Sequence, residues 1–251
     1  MRKLKVRTIW ISAFLLPVLV LGCGDPDKNG GGSSLSGPPP VALGTACSFG
    51  ILAATPKVAN TGLTHVTGDV GISPAASITG FVGTVPSGSP GTITGTFHQG
   101  DATAATAQGD LTTAYNNAAG AAGGAALVGD LGGLTLTPGV YKQSSSELIT
   151  GNLTLDGGGN ANGTWIFQIG STLTTAAGNS NIILINGANA HNVVWQVGAS
   201  ATLGTNTIFQ GTILAQASIT LTTGATLNGR ALARTGAVTL DSNPVNVTAC
   251  P

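Results

Sequence analysis

Charge is what this chain is poorest in. From position 41 onward only Lys57, Lys142, Arg230 and Arg234 stand against seven acidic residues, and no basic stripe gathers anywhere. A nucleic-acid partner needs such a stripe to neutralise phosphates, so that class is excluded. Titratable chemistry is equally thin: His65, His98 and His191 are scattered, and no pair of them has metal-ligand spacing. The patterns HExxH, CxxC, GxSxG and the phosphate loop are all missing. Asp69, Asp156 and Asp241 are isolated and sit in turn-like runs, so the paired carboxylates of a polysaccharide-cleaving enzyme are not there either. The expectation is a protein that is no enzyme and needs no cofactor or metal.

Long apolar runs are also lacking. The one candidate, residues 8–21, is short for a bilayer span and follows a basic start at Arg2, Lys3, Lys5 and Arg7, so residues 1–22 read as a signal peptide. They end in Val20-Leu21-Gly22-Cys23, which resembles a bacterial lipobox and marks Cys23 as a lipid-anchor site; an ordinary secretory signal is the alternative. Residues 23–40 carry Gly, Ser, Pro and charge with a single Leu, the composition of a disordered tether. The chain is thus expected to be exported and held at the outer membrane or cell surface, or else secreted.

Residues 41–251 form one domain of ordinary size. Its two cysteines, Cys47 and Cys250, lie near its ends, and an exported protein is expected to pair them. Such a bridge closes a loop of about 200 residues, for which chain entropy sets an upper figure of about 5 kcal/mol.

What is abundant is threonine, with 33 residues from position 41 on. Six Thr-Leu pairs, at Thr135, Thr154, Thr172, Thr202, Thr220 and Thr239, recur at intervals of 19, 18, 30, 18 and 19, with a further such pair at Thr226 outside the series. A recurrence of that length, built of β-branched and small residues with Gly and Asn between, is the signature of a stacked β-coil in which each turn buries its apolar positions against its neighbours. The 30-residue interval holds an extra excursion over residues 182–194. One segment departs from the pattern: residues 101–119 open on Asp101 and place Ala104, Ala107, Leu111, Ala114, Tyr115 and Ala118 at helical spacing, predicting a helix with a shallow apolar stripe packed along the coils.

Three residues past the later Thr-Leu starts stand Thr175, Thr205, Thr223 and Ser242, with Thr207 two residues after Thr205. Coils stacked in register would turn these into a file of hydroxyls at the strand separation of about 4.8 Å. Thr is a good strand residue in any solenoid, but a rigid flat file of methyls and hydroxyls can also order water into an ice-like array, and ice presents no charge to recognise.

Several runs in order, among them Leu43-Gly44-Thr45-Ala46, Thr67-Gly68-Asp69-Val70-Gly71, LGGLTLTPGVY at 131–141 and WIFQIGSTL at 165–173, resemble the microbial ice-binding protein family. The resemblance implies a mainly β fold: an irregular, discontinuous right-handed β-solenoid of triangular cross-section with one long α-helix alongside. It also implies that the N-terminal stretch packs near the C-terminal coils, bringing Cys47 toward Cys250. The loose Thr-Ala/Gly-x-Thr/Asn pattern of that family matches Thr223-Gly224-Ala225-Thr226 and Thr61-Gly62-Leu63-Thr64. The expected ice-binding face is therefore Thr61, Thr64, Thr175, Thr205, Thr207, Thr223, Thr226 and Ser242, on a monomer whose partners are an ice crystal surface and, through the anchor, a bacterial membrane. A structural or adhesive surface module binding a polymer or another cell is the alternative.

Overall fold

The computed structural model describes residues 37–82, 90–178 and 180–250; the expected signal peptide, the expected anchor site Cys23 and the expected tether up to residue 36 lie outside the described residues. Parallel strands wind into coils, each turning through three faces, here A, B and C. Between adjacent coils every ladder is parallel, the arrangement that stacking successive turns of one hand produces.

Face A holds, from one end to the other, Ala125–Ala126, Gly139–Gln143, Trp165–Ile169, Val193–Val197, the second halves of Ile208–Ala215 and Thr226–Ala233, then Phe49–Ala53, Asp69–Ile72 and Phe97–Gln99. Face B is a seven-stranded sheet in the order Glu147–Ile149, Leu173–Thr175, Ala201–Leu203, Ile219–Leu221, Val238–Asp241, Val58–Thr61, Ile78–Thr79. Face C carries Thr135–Leu136, Leu153–Asp156 and Ile182–Ile185, then the first halves of the two eight-residue strands, Pro244–Asn246, His65–Thr67 and Thr92–Ile93. Those two long strands pass from face C to face A at Gly211 and Gly229, which lie at φ +107° and +154°. An added Cβ would come within 2.5 Å of Val193 O at the first and 2.0 Å of Gly211 O at the second, so only glycine allows this corner to stack so closely.

The stack is discontinuous. The first coil of the chain joins the last: Ile51 and Leu52 pair with Ala231 and Leu232, and Val58 pairs with Val238. Cys47 and Cys250 meet there in a disulfide across 203 residues of sequence, with Cα atoms 5.9 Å apart.

Alternating residues fill the interior. Tyr141, Phe167 and Trp195 stack through the coils, with ring centroids 5.4 and 3.9 Å apart, and Phe209 meets Trp195 tilted, at 5.0 Å. The indole N–H groups of Trp165 and Trp195 donate to Leu136 O and Gln210 O, so neither ring buries an unpaired donor. A second core lies outside face A, under the helix Ala102–Ala119 (α1). Asp101 caps it by accepting from Ala104 N at 2.8 Å, and its buried stripe is Ala104, Ala107, Leu111, Ala114, Tyr115 and Ala118, as the spacing predicts. Alanine on that stripe lets the helix lie close against Ile166, Val194, Leu214 and Leu232. Beside it runs the N-terminal segment, pinned where Asp110 accepts from both Thr45 N and Thr45 Oγ1 at 2.7 Å.

Two expectations change. Residues 37–40, assigned to the tether by composition, lie against the domain: Gly37 backs so tightly on Thr164 O and Pro138 that a Cβ would reach within 2.4 Å of the carbonyl. The excursion expected over 182–194 is mostly regular, since Ile182–Ile185 is a face C strand paired with Leu153–Asp156, and the extra residues form only the corner that follows, with its short helical turn Ala190–Asn192.

Candidate functional site

The Thr-Leu repeat does not mark one register. Thr135 and Thr154 lie on face C and pair with each other, whereas Thr202, Thr220 and Thr239 pair in sequence on face B. Their partner in the preceding coil is Thr174, not Thr172, because Leu173 pairs with Ala201. The coils from 139 to 193 are longer than the 18-residue coils that follow, so a fixed interval slips by two residues on crossing into them.

That slip decides which residues face outward. Thr175 was expected in the exposed file, but its true counterpart is Leu203's position, and it points inward at 2% exposure. Its Oγ1 meets Thr207 Oγ1 at 3.1 Å and accepts from Gly204 N at 2.8 Å. Thr207 and Thr64 are likewise buried, at 0% and 1%, with Thr64 Oγ1 accepting from Asn243 N. These three hydroxyls satisfy the backbone of corners, and they present nothing to a surface. Thr205, Thr223 and Ser242 stay in register with one another, yet they form the corner between faces B and C rather than a face. Thr61 is exposed at the end of its face B strand, and Thr226 is half-buried on face C.

Face B holds a different file. Thr174, Thr202, Thr220 and Thr239 occupy the central outward position of four successive strands, continued by Ala59 and Thr79. At strand spacing the four threonines span about 14 Å and the whole sheet roughly 30 Å. Among the described residues none of the four hydroxyls bonds to a protein group. The neighbouring files are engaged: Thr172 Oγ1 donates to Ser146 Oγ, Ser200 and Ser218 accept from the N–H groups of Ser218 and Ala237, and Thr222 Oγ1 donates to Leu203 O at 2.7 Å. The corner hydroxyls are engaged as well, Thr205 with Thr222 and Thr223 with Asp241. The central file is thus held rigidly by its surroundings and left open to water. Among the described residues the central file itself carries no charge; Lys57 and Asp241 lie at the margins of face B, and Leu148 closes one end of the file with an exposed side chain.

The sequence held the signal for this file. In a period-2 strand a buried Leu sends the preceding Thr outward, so in the three later coils the first residue of the Thr-Leu pair, at Thr202, Thr220 and Thr239, and not the third one after it, marks the open face. What no pattern announced was Arg230, wholly buried near the disulfide, or Gln168, whose Nε2 donates to the carbonyls of Ala118, Ala119 and Ala121 at the C-terminal end of α1.

Among the described residues no group of three or more His, Cys, Asp or Glu is arranged to hold a metal ion, and no helix is long and apolar enough to cross a membrane. The buried acid Glu147 stands alone: burial, with the nearby Asp130 carboxylate, pushes it above the usual carboxylate range.

Comparison with known proteins agrees with this architecture. The ice-binding protein of Nostoc sp. (strain HG1) is 52% identical over 206 residues, covering 81% of this chain and 73% of its own length. That of Flavobacterium frigoris (strain PS1) is 37% identical over 221 residues, covering 82% and 76%. Among solved structures, an ice-binding protein from an Antarctic biological consortium aligns with TM-score 0.77 at 47% identity over 83% of this chain and 91% of its own. The ice-binding protein of the Antarctic ascomycete Antarctomyces psychrotrophicus gives TM-score 0.77 at 46% identity, covering 84% and 99%. The family description Ice-binding-like matches residues 51–246, and the chain belongs to that family.

Proposed function

We propose that this protein binds ice through face B, with Thr174, Thr202, Thr220 and Thr239 at the centre of the contact. The observation that carries the reading is the unengaged state of those four hydroxyls on a flat parallel sheet. Each methyl orders water without bonding to it, and each adjacent hydroxyl can donate to or accept from that water, so a fixed two-dimensional array of both templates a layer continuous with the crystal. Rigidity matters because a flexible face would lose conformational entropy on adsorption. Once molecules adsorb, ice can advance only as curved fronts between them. Growth and recrystallisation are then inhibited, and a thermal hysteresis gap opens. The test is thermal hysteresis with crystal morphology: halted growth and faceted crystals are expected, and round, freely growing discs from the folded protein would refute the reading. Affinity for a polysaccharide, with no effect on ice, would instead favour an adhesive module.

The placement of the N-terminus bears on the second partner. Gly37 lies against Pro138, Gly139 and Thr164, at the corner where face C turns into face A, across the coil from face B. A lipid on Cys23 would tether the domain to the membrane by its N-terminal side, and a cleaved, unlipidated chain would be secreted. Mass spectrometry of the mature N-terminus distinguishes them, and an unmodified Cys23 would exclude the anchor.

A further inference from the structure

Arg230 is 1% exposed and sits where the first and last coils meet. Its Nε donates to Cys47 O at 2.9 Å, Nη2 to Thr248 O at 2.7 Å and Nη1 to Thr248 Oγ1 at 3.3 Å. Every one of those acceptors is neutral. Among the described residues no carboxylate pairs with the guanidinium, since the one ion pair is His98–Asp101. Burial depresses its pKa to about 10, which leaves it cationic at neutral pH. A buried charge without a counter-ion costs stability, and an apolar side chain of similar volume would avoid that cost.

The same guanidinium lies beside the bridge, with Nη2 3.5 Å from Cys47 Sγ and 3.9 Å from Cys250 Sγ. The reduced state of the bridge would supply an anion there: a thiolate stands next to the cation. We propose that Arg230 makes the Cys47–Cys250 bridge a reversible latch on the junction between the first and last coils, by stabilising the thiolate that reduction leaves at Cys47.

Cys250 is exposed and Cys47 buried, which orders the steps. The thiolate of a small thiol such as glutathione attacks Cys250 Sγ, the bridge breaks, and its electron pair leaves on Cys47 Sγ beside Arg230. A second glutathione thiolate attacks the glutathione sulfur of the mixed disulfide and releases Cys250. The bridge gains two electrons, two glutathiones become one glutathione disulfide, and their two protons pass to Cys250 and solvent. Closure is the reverse, with the Cys47 thiolate as nucleophile, and its rate follows the thiolate fraction. Arg230 acts through sulfur and is a positioning residue; the latch does not depend on what face B binds.

The test equilibrates the full chain carrying Cys23→Ser, so that two thiols are read, in glutathione redox buffers. Arg230→Gln should shift the equilibrium about tenfold toward the bridge, which is about 30 mV for a two-electron couple. Arg230→Lys, which keeps the charge, should stay near the parent. A merely structural role predicts the opposite sign, because loss of the guanidinium's bonds would loosen residues 47 and 248 and ease reduction. That outcome, or no shift, overturns the proposal. If Arg230→Gln does not fold, Cys250→Ser in the same chain leaves Cys47 as a lone thiol. Its alkylation by iodoacetamide should then persist to distinctly lower pH than for an ordinary thiol, and an ordinary profile would overturn the proposal equally.

Discussion

Faces A and B are built on the same coils, both bury alternate apolar residues, and what sets their surfaces apart is their outward residues. On face A those residues are Ile166, Gln168, Val194, Gln196, Leu214 and Leu232. The apolar ones draw α1 down, and the glutamines bond to it, Gln196 Nε2 donating to Tyr115 Oη at 2.8 Å. On face B the central ones are Thr174, Thr202, Thr220 and Thr239, whose hydroxyls bond to no protein group among the described residues. One choice at every second residue decides whether a sheet is covered or left as a working surface. Hydrophobic burial commits face A to stability, and the proposed role of face B draws on the polar groups that its central file leaves unengaged.

The largest break in that comparison is a protrusion at the centre of face B. Thr220→Tyr should cut thermal hysteresis to about a tenth or less, as expected for a central contact position, with an unchanged melting curve. On the opposite side, Leu111→Ala should lower unfolding free energy by about 2–5 kcal/mol while hysteresis in the cold, where the protein stays folded, is preserved. Loss of activity from the second variant alone would show that face B is not independent of the helix.

A smaller effect lies under face B, where the inward column Leu173, Ala201, Ile219 and Val238 ends in Glu147. Its folded pKa is raised, so the fold favours the protonated form. Stability from this group is full below the ordinary carboxylate pKa and declines as pH rises through the folded value. Denaturant unfolding across pH should show that decline, and Glu147→Gln should flatten it. Smaller still, Thr223→Tyr at the corner should reduce hysteresis by less than about half, as a rim position does. Thr202→Ser keeps the hydroxyl and removes only one methyl, so hysteresis should change least of all.

The helix was legible in full because 3.6-residue periodicity and an Asp cap are local signals, and Asp101 with the Ala104 to Ala118 stripe carried both. The coils were legible as a repeat, but their alignment was not. Interval counting assumes equal turns, whereas the corners near residues 157–164 and 186–192 lengthen two of them. That is why Thr175 was expected outside and lies within; Thr205, Thr223 and Ser242 fall at the corner for another reason, because three residues past Thr202, Thr220 and Thr239 the strand has already ended. Thr174 carried no Leu immediately after it to announce it. Arg230, Gln168 and Gln196 act between segments far apart in sequence, where no periodicity can register them.

The joining of first coil to last has a consequence for how the protein is made. Strand Phe49–Ala53 and strand Val58–Thr61 emerge early in synthesis, but their neighbours Thr226–Ala233 and Val238–Asp241 come at the end. The upper part of face B therefore cannot close until nearly the whole polypeptide is available, and contacts this distant in sequence form slowly. The stack is therefore complete, and face B continuous, only when the last coil arrives to receive the first.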